Sequence, residues 1–379
     1  SRLPPPAKAG GLRRVISMKL LHVVGARPNF MKVAPVMAAL AKQPGIAQVL
    51  LHTGQHYDRN MSDIFFRELS IPLPDINLEV GSGSHAQQTA QIISRFEPVV
   101  LEQKPDWVCV YGDVNSTVAA ALVCAKLGIP IAHVEAGLRS FDRTMPEEIN
   151  RVLTDQIADL LFTPSADGDA NLAREGVLAE RIRLVGNVMI DTLVRLLPQA
   201  EKRPPLATLG LGPDDRYCLV TLHRPSNVDH PDNLADIMRA LDDISRRAQV
   251  IFPVHPRTRA RLSDLNLTPD DSRLRLIEPV GYLEFLALQQ RAAVVVTDSG
   301  GIQEETTFLG VPCLTLRENT ERPVTVEIGT NELIGHDMAR LRHEVDAILN
   351  GNAKSGQIPP LWDGHASERI AAVFASGAV

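Results

Sequence analysis

The residues able to do chemistry in this sequence gather at the ends of its apolar runs. In the first half they are Gly25-Ala-Arg27-Pro-Asn29 with Lys32, Thr53-Gly-Gln55-His56, Tyr111-Gly-Asp113, His133-Val-Glu135-Ala-Gly-Leu-Arg139 and Pro146-Glu147-Glu148-Ile-Asn150-Arg151. In the second half they are His223-Arg224, His255-Pro-Arg257, Asp298-Ser299-Gly300-Gly301 and Glu321-Arg322-Pro323. A helix cap or a surface ion pair would account for any one of them alone. Their repetition at one kind of position points instead to a shared site.

Asp113, Glu135 and Glu147 make an acid–base set. Carboxylates gathered in a closing cleft repel one another and lose solvent, which raises some of their pKa values and makes a general acid and a general base available together. The alternative has Glu147 or Glu148 answering a helix dipole in its first turn, and Glu135 paired with Arg139. That alternative suits Glu148 and explains Asp113 and Glu135 poorly. His223 and His255 each end an apolar run; His223-Arg224 follows YCLVTL where a strand would enter a cleft, a position suited to protonating a departing phosphate oxygen.

The segment TDSGG resembles the nucleophile segment of a trypsin-like protease, but here it follows the run AVVVT and opens a helical pattern. A strand, a glycine pair and a helix start present free N–H groups and the positive dipole end to an anion. A plain capped turn, with Asp298 or Ser299 as cap and the glycines supplying positive φ, is the competing account. Phosphate binding is favoured because Glu304 and Glu305 follow one turn later, where they would accept ribose hydroxyls. Arg322 and Arg27 would then neutralise a diphosphate from either side.

A scaffold that turns every strand end toward one place is required, and the periodicity supplies it. KLLHVV, AQVLLHT, DWVCVYGD, IPIAHVEAG, DLLFT and RIRLVG read as buried strands, with STVAAALVCAKLG and EEINRVLTDQIA as helices between them. A second series runs from YCLVTLH through NLADIMRALDDISRRA, QVIFPVHP, RLRLIEPV, GYLEFLALQQRA, AVVVTDSG and GIQEETTFLG to VPCLTLRE. Between them PQAEKRPPLATLGLGPDD breaks the pattern. The fold class expected is α/β, two Rossmann-like, doubly wound parallel-sheet domains facing a cleft, with ligands at the carboxyl ends of the strands. The expected divisions are a flexible extension or artificial remnant over 1–17, a first domain over 18–190 with the carboxylates, a second over 191–365, and a C-terminal helix over 366–379 that packs back on the first.

With 379 residues the chain is long enough for two cores, and a small disulfide- or metal-stapled scaffold is excluded. A net charge of −6 repels polyanions, so nucleic acid is not an expected partner. Cys109, Cys124, Cys218 and Cys313 sit far apart in apolar runs and read as reduced core thiols of a cytoplasmic protein. No apolar run is long enough for a membrane helix, and SRLPPPAKAGGLRRVIS lacks the apolar core of a secretory signal. There is no Gly-Lys dipeptide of a P-loop, no GxGxxG after the first strand, no Tyr-x-x-x-Lys pair, no HExxH and no CxxC. Neither a metal nor a redox cofactor is called for.

Taken together, GARPNFMKVAP, TGQHYD, YGDVNST, HVEAGLRSFDRTMPEEINR, VGNVMIDT, TLHRPSN, FPVHPRTR, TDSGGIQEE and LRENTERP make the sequence resemble the non-hydrolysing UDP-N-acetylglucosamine 2-epimerases, from about Met18 to the C-terminal helix. The resemblance implies a GT-B-like domain pair, a homodimer, a UDP-sugar substrate, and interconversion of UDP-GlcNAc and UDP-ManNAc without NAD. Carried over by motif, the site falls on Arg27, Lys32, Asp113, Glu135, Glu147, Arg151, His223, Ser299, Gly300, Glu305 and Arg322, with His255 added from its strand-end position. The implied mechanism is elimination of UDP to a 2-acetamidoglucal and readdition, with Asp113, Glu135, Glu147 and His223 as the catalytic set. Two rivals share the fold: epimerisation of a 2,3-diacetamido-glucuronate nucleotide, which TGQHYD and GLRSF also resemble, and a GT-B glycosyltransferase, which would need an acceptor site. A catalytically silent nucleotide-sugar sensor is opposed by the intact carboxylate set.

Overall fold

In the computed structural model, which describes residues 18–55, 66, 73–203, 208–212, 215–269 and 273–377, the unbroken apolar runs form strands buried on both faces. That pattern belongs to parallel sheets, whose faces are covered by helices. The first series is β1 (Met18–Val24), α1 (Arg27–Leu40), β2 (Ile46–His52), β3 (Ile76–Asn77), α2 (His85–Gln103), β4 (Trp107–Tyr111), α3 (Asn115–Leu127), β5 (Ile131–Val134), α4 (Pro146–Ile157), β6 (Leu160–Thr163), α5 (Ala166–Arg174), β7 (Ile182–Leu184) and α6 (Val188–Ala200). Its strands pair in the order β3-β2-β1-β4-β5-β6-β7, all parallel.

The second series is β8 (Tyr217–Thr221), α7 (Pro225–Val228), α8 (Pro231–Ser245), β9 (Gln249–Pro253), α9 (Pro256–Asp264), β10 (Leu274–Ile277), α10 (Tyr282–Arg291), β11 (Val294–Thr297), α11 (Gly300–Leu309), β12 (Cys313–Thr315), α12 (Pro323–Glu327), β13 (Asn331–Leu333) and α13 (Met338–Leu349). Its order is β10-β9-β8-β11-β12-β13, again all parallel. The expected fold class is therefore the observed one. Residues 1–17 and 56–58 of the TGQHYD motif lie outside the described residues.

In both sheets the order reverses beside the first strand, so β1 lies between β2 and β4, and β8 between β9 and β11. Loops leaving neighbouring strands part in opposite directions at such a point and leave a crevice. Register sets the floor of that crevice: Val23 lies opposite Val110, Tyr111 opposite Val134 and Thr221 opposite Thr297. The segments that follow β1, β4 and β5 then carry Arg27, at the start of α1, Asp113 and Glu135, and those after β8 and β11 carry His223 and Ser299.

The chain ends by returning to the first sheet. Trp362 donates from Nε1 to the Pro164 carbonyl at 2.9 Å. The Asp191 carboxylate of α6 then accepts the Ala366 and Ser367 N–H groups at 3.1 and 2.6 Å, capping α14 (Ala366–Ala375). Ile370, Ala371 and Phe374 of that helix share a core with Val33, Met37 and Leu40 of α1 and with Leu283, Leu286 and Ala287 of α10. Both halves are thus sealed around one apolar seam, while α8 and α13 cover a separate core over the second sheet.

Candidate active site

The two crevices open onto one cavity of about 670 Å³. From the first half it is lined by Arg27, Lys32, Asp113, Glu147 and Arg151, and from the second by His223, Arg224, Ser299, Gly300, Glu304, Glu305, Glu321 and Arg322. Val280, Tyr282, Phe285 and Ile302 form an apolar wall at the second half, and Met31, Met145 and Met189 line it elsewhere.

Asp113 stands just after β4, where Gly112 turns the chain at φ +62°. The positive φ favours glycine there, and a Cβ at Gly112 would lie 2.7 Å from Lys32 Nζ. The Asp113 carboxylate is bridged by Arg151. Arg151 is itself buried, and Glu148 accepts from its Nε at 3.0 Å and its Nη2 at 2.7 Å. Glu148 also accepts from the Ser140 N–H and Oγ at 3.0 Å each and from the Phe141 N–H at 2.9 Å. Burial pushes its carboxyl up, but the Ser140 N–H and Arg151 outweigh burial and leave it below the ordinary range. Glu148 is therefore the organiser of the loop before α4, a role its first-turn position did not reveal.

Glu135 lies behind the cavity wall. It adopts φ +74°, which non-glycine residues seldom do, and its N–H and that of Ala136 both donate to the Phe162 carbonyl at 3.0 Å. Lys32 of α1 pairs with one of its oxygens, and Arg322 Nη2 approaches the other at 2.8 Å. The Glu135–Arg139 pair of the alternative account does not form. Arg139 faces away from the cleft toward Asp155 and Glu175, at 2.7 Å from each.

Arg322 is held by three carboxylates: Nε by Glu304 at 2.6 Å, Nη1 by Glu321 at 2.6 Å and Nη2 by Glu135 at 2.8 Å. It precedes α12, and Gly300 opens α11 directly above it. A Cβ on Gly300 would fall 2.5 Å from Arg322 Nη1. Neither glycine has the positive φ of the competing capped-turn account, and close approach to the guanidinium is what Gly300 provides. Ser299 sits at the N-cap of α11 with no side-chain cap hydrogen bond.

These contacts divide the buried carboxylates. Burial raises Glu321, but Arg322 and Arg317 more than reverse this and hold it well below the ordinary range. Burial pushes Glu304 up to about 7 despite Arg322, with Glu135 adding repulsion. Glu305 also rises to about 7 through burial, although the Tyr282 hydroxyl donates to it at 2.9 Å. The cleft thus holds carboxyl groups that are ionised and others that take up a proton near neutrality.

Asp298, which the sequence offered as a cap, turns toward the end of β8. Wholly buried, it accepts from the His223 N–H, from the Arg224 N–H at 2.9 Å and from Asn227 Nδ2 at 3.0 Å. His223 Nδ1 lies 3.0 Å from the same carboxylate, while 60% of the His223 side chain is exposed. An Asp–His pair of this kind fixes the ring and its tautomer, with hydrogen on Nδ1. Sequence spacing could not find it, since 75 residues separate the two.

His255 stands apart from these lining residues. It is exposed, its Nδ1 caps α9 by accepting from the Arg257 N–H at 3.3 Å, and it does not line the cavity. Its strand, β9, is one place removed from the point between β8 and β11 where the sheet opens. All four cysteines are buried and unbonded, with burial pushing the Cys109, Cys124 and Cys218 thiols up to about 12 and Cys313 to about 11. Among the described residues no group of three or more His, Cys, Asp or Glu is placed to hold a metal, and no helix is long and apolar enough to cross a membrane.

Comparison with known proteins gives a consistent result. The sequence model of the family described as UDP-N-acetylglucosamine 2-epimerase matches residues 38–375. The UDP-N-acetylglucosamine 2-epimerase of Methanocaldococcus jannaschii is 46% identical over 95% of this chain and all of its own. The UDP-2,3-diacetamido-2,3-dideoxy-D-glucuronate 2-epimerase of Pseudomonas aeruginosa is 43% identical over 94% of this chain and 99% of its own. The crystal structure of the Methanocaldococcus jannaschii enzyme with UDP-GlcNAc and UDP superposes with a TM-score of 0.86, covering 95% of this chain and 100% of that one. A glycosyltransferase structure at 13% identity and a TM-score of 0.57 shares the fold alone.

Proposed function

Since this chain belongs to the UDP-N-acetylglucosamine 2-epimerase family, we propose that it interconverts UDP-GlcNAc and UDP-ManNAc without hydrolysing them. The observation that carries the reading is one cleft in which Asp113 and Glu147 face a glycine-opened helix, a guanidinium and an apolar wall. The wall of Tyr282, Phe285 and Ile302 suits a flat pyrimidine, Glu305 suits ribose hydroxyls, and the start of α11 with Arg322 and Arg27 suits a diphosphate.

C2 of an N-acetylhexosamine is not adjacent to a carbonyl carbon, so loss of its proton needs an electron sink. Departure of UDP from C1 provides one. One carboxylate removes the C2 proton, the electron pair forms the C1–C2 double bond, and the C1–O bond breaks with its pair going to UDP. Readdition reverses these events with a proton delivered to the other face. Asp113 and Glu147 are assigned to the two faces, Glu135 to holding Lys32 and Arg322 in place, and His223, oriented by Asp298, to the departing phosphate oxygen.

Incubation with UDP-GlcNAc in D2O, followed by NMR, tests the reading. Both epimers should appear with deuterium at C2 and without added NAD or metal. Release of free ManNAc would mark a hydrolysing enzyme, and full retention of hydrogen would exclude elimination. A second reading, epimerisation of the diacetamido-glucuronate nucleotide, is favoured by the relative at 43% identity; the two substrates compared by kcat/KM decide between them. The product would supply ManNAc-type sugars for cell-surface polysaccharide. A cytoplasmic homodimer fits the resemblance, and light scattering tests the dimer.

A further inference from the structure

Beneath the turn that carries Asp113 runs a buried polar chain that the proposed reaction does not use. His133, on β5 with no exposed surface, brings Nε2 to 2.8 Å from the Gly112 carbonyl oxygen and Nδ1 to 2.6 Å from Asp155 Oδ1. Asp155, equally buried, also accepts from the Gly137 N–H at 3.0 Å and from Arg139 Nη1 at 2.7 Å. Arg139 in turn donates from Nε and Nη2 to Glu175 at 2.7 Å each. Burial alone would raise the Asp155 carboxyl, but His133 and Arg139 outweigh it and hold it below the ordinary range.

A carbonyl oxygen only accepts, so Nε2 must carry the hydrogen of the Gly112 contact. That carbonyl belongs to the peptide joining Gly112 to Asp113. The flanking carbonyls are held as well: Tyr111 O accepts from Asn29 Nδ2 and Thr117 Oγ1 at 2.8 Å each, and Asp113 O accepts from Asn150 Nδ2 at 2.8 Å. Three helices therefore grip the ends of the turn, and His133 grips its middle from the neighbouring strand. The middle is also where the turn is softest, because Gly112 at φ +62° has no side chain to limit rotation of the peptide.

We propose that His133 is a positioning residue for proton transfer: its Nε2–H pins the Gly112 peptide and thereby sets where the Asp113 carboxylate stands against C2 of the sugar. This inference rests on the assignment of Asp113 to proton transfer. Displacement of a reacting group by about 1 Å costs about 10²-fold in rate, so a peptide freed to rotate would be felt in turnover and not in nucleotide binding.

Glutamine and asparagine separate the two contacts, since their amide nitrogens stand where the ring has Nε2 and Nδ1. His133→Gln keeps a donor for Gly112, and His133→Asn keeps one for Asp155. In His133→Asn, kcat should fall about 10- to 100-fold with the Kd for UDP unchanged, while His133→Gln should keep most of the activity. Equal losses in both variants, or a loss confined to KM, would overturn the proposal.

In an Asp113→Asn background, adding His133→Asn should leave the residual turnover unchanged; a further multiplicative loss would show that His133 does not act through Asp113. Wild-type turnover in Asp113→Asn alone would instead sink the functional reading, so the two failures are distinct. Should neither histidine variant fold, 15N NMR of the histidine-labelled wild-type protein still decides. Hydrogen on Nε2 is expected, and a bare Nε2 would overturn the proposal.

Discussion

Arg322 of the second half donates from Nη2 to Glu135 Oε1 of the first half at 2.8 Å, joining residues 187 apart across the cleft. The same guanidinium is claimed by Glu304 and Glu321, so on the proposed function an arriving diphosphate would compete with three carboxylates for it. On that reading, binding of UDP and rearrangement of this cluster would be one event.

Arg322→Ala should lower stability as well as affinity. Breaking a buried ion pair by removing one partner typically costs about 3–5 kcal/mol, because the remaining charge is left uncompensated. A urea denaturation series should show the loss in the unliganded protein, and calorimetry should show UDP binding weakened. Arg322→Lys should recover part of the stability, since an ammonium restores the charge without the three-way fork.

Asp113→Asn and Glu147→Gln should each reduce turnover by about 10²- to 10⁴-fold, the usual worth of a general acid or base. UDP affinity should stay near wild type, because these groups are assigned to protons on carbon and not to the nucleotide. Rate measurements at saturating UDP-GlcNAc, paired with UDP titrations, check both halves of the expectation.

Asp298→Asn replaces the buried acceptor of His223 Nδ1 and of two backbone N–H groups. An amide can present its NH2 to the ring and favour the opposite tautomer, so turnover should fall by about 10²-fold or more with binding changed far less, as expected for an orienting group. His223→Asn should lose a similar amount, and the double variant no more than either alone.

Glu304 and Glu305 give stability an unusual pH trend. Both rise from an ordinary 4.5 to about 7 on folding, so between those values the folded chain binds more protons than the unfolded one. Stability then falls as pH rises through that window and is greatest on its acid side. Glu305→Gln should lie closest to wild type at the acid end, near pH 5, and exceed it above pH 7, by up to about 3 kcal/mol for a carboxyl this deeply buried. Melting temperatures of the two proteins across pH 5–8 provide the measurement.

Most strands were legible because a parallel strand is an unbroken apolar run, and KLLHVV or AVVVT can be little else. Helices α1 and α2 were not assigned from sequence. Helix α1 carries Pro35 in its interior and α2 carries Pro98, and each proline removes a helical N–H and lowers the propensity that a sequence reading depends on. Strands β3 and β13 are two and three residues long and leave no periodic trace.

Strand-end position singled out Asp113 and His223, which stand just after β4 and β8 and line the cavity, whereas Glu147 and Arg322 reach it from longer loops at the starts of α4 and α12. It also named His255, which stands outside the lining of this cavity, because local pattern shows where a strand ends and not which neighbour it takes in the sheet. It could not see Glu148, Asp298 and Glu304 as parts of a network, because their partners are fixed by tertiary packing.

The return of α14 to the first half has a mechanical meaning. The chain crosses between the two halves once between β7 and β8 and again between α13 and α14, where Trp362 and Asp191 anchor it. A body tied to another at one point can swivel in any direction, whereas two ties leave rotation about the line joining them as the soft motion. Any opening of the cleft would therefore follow a single arc, and Arg322 would part from Glu135 along it.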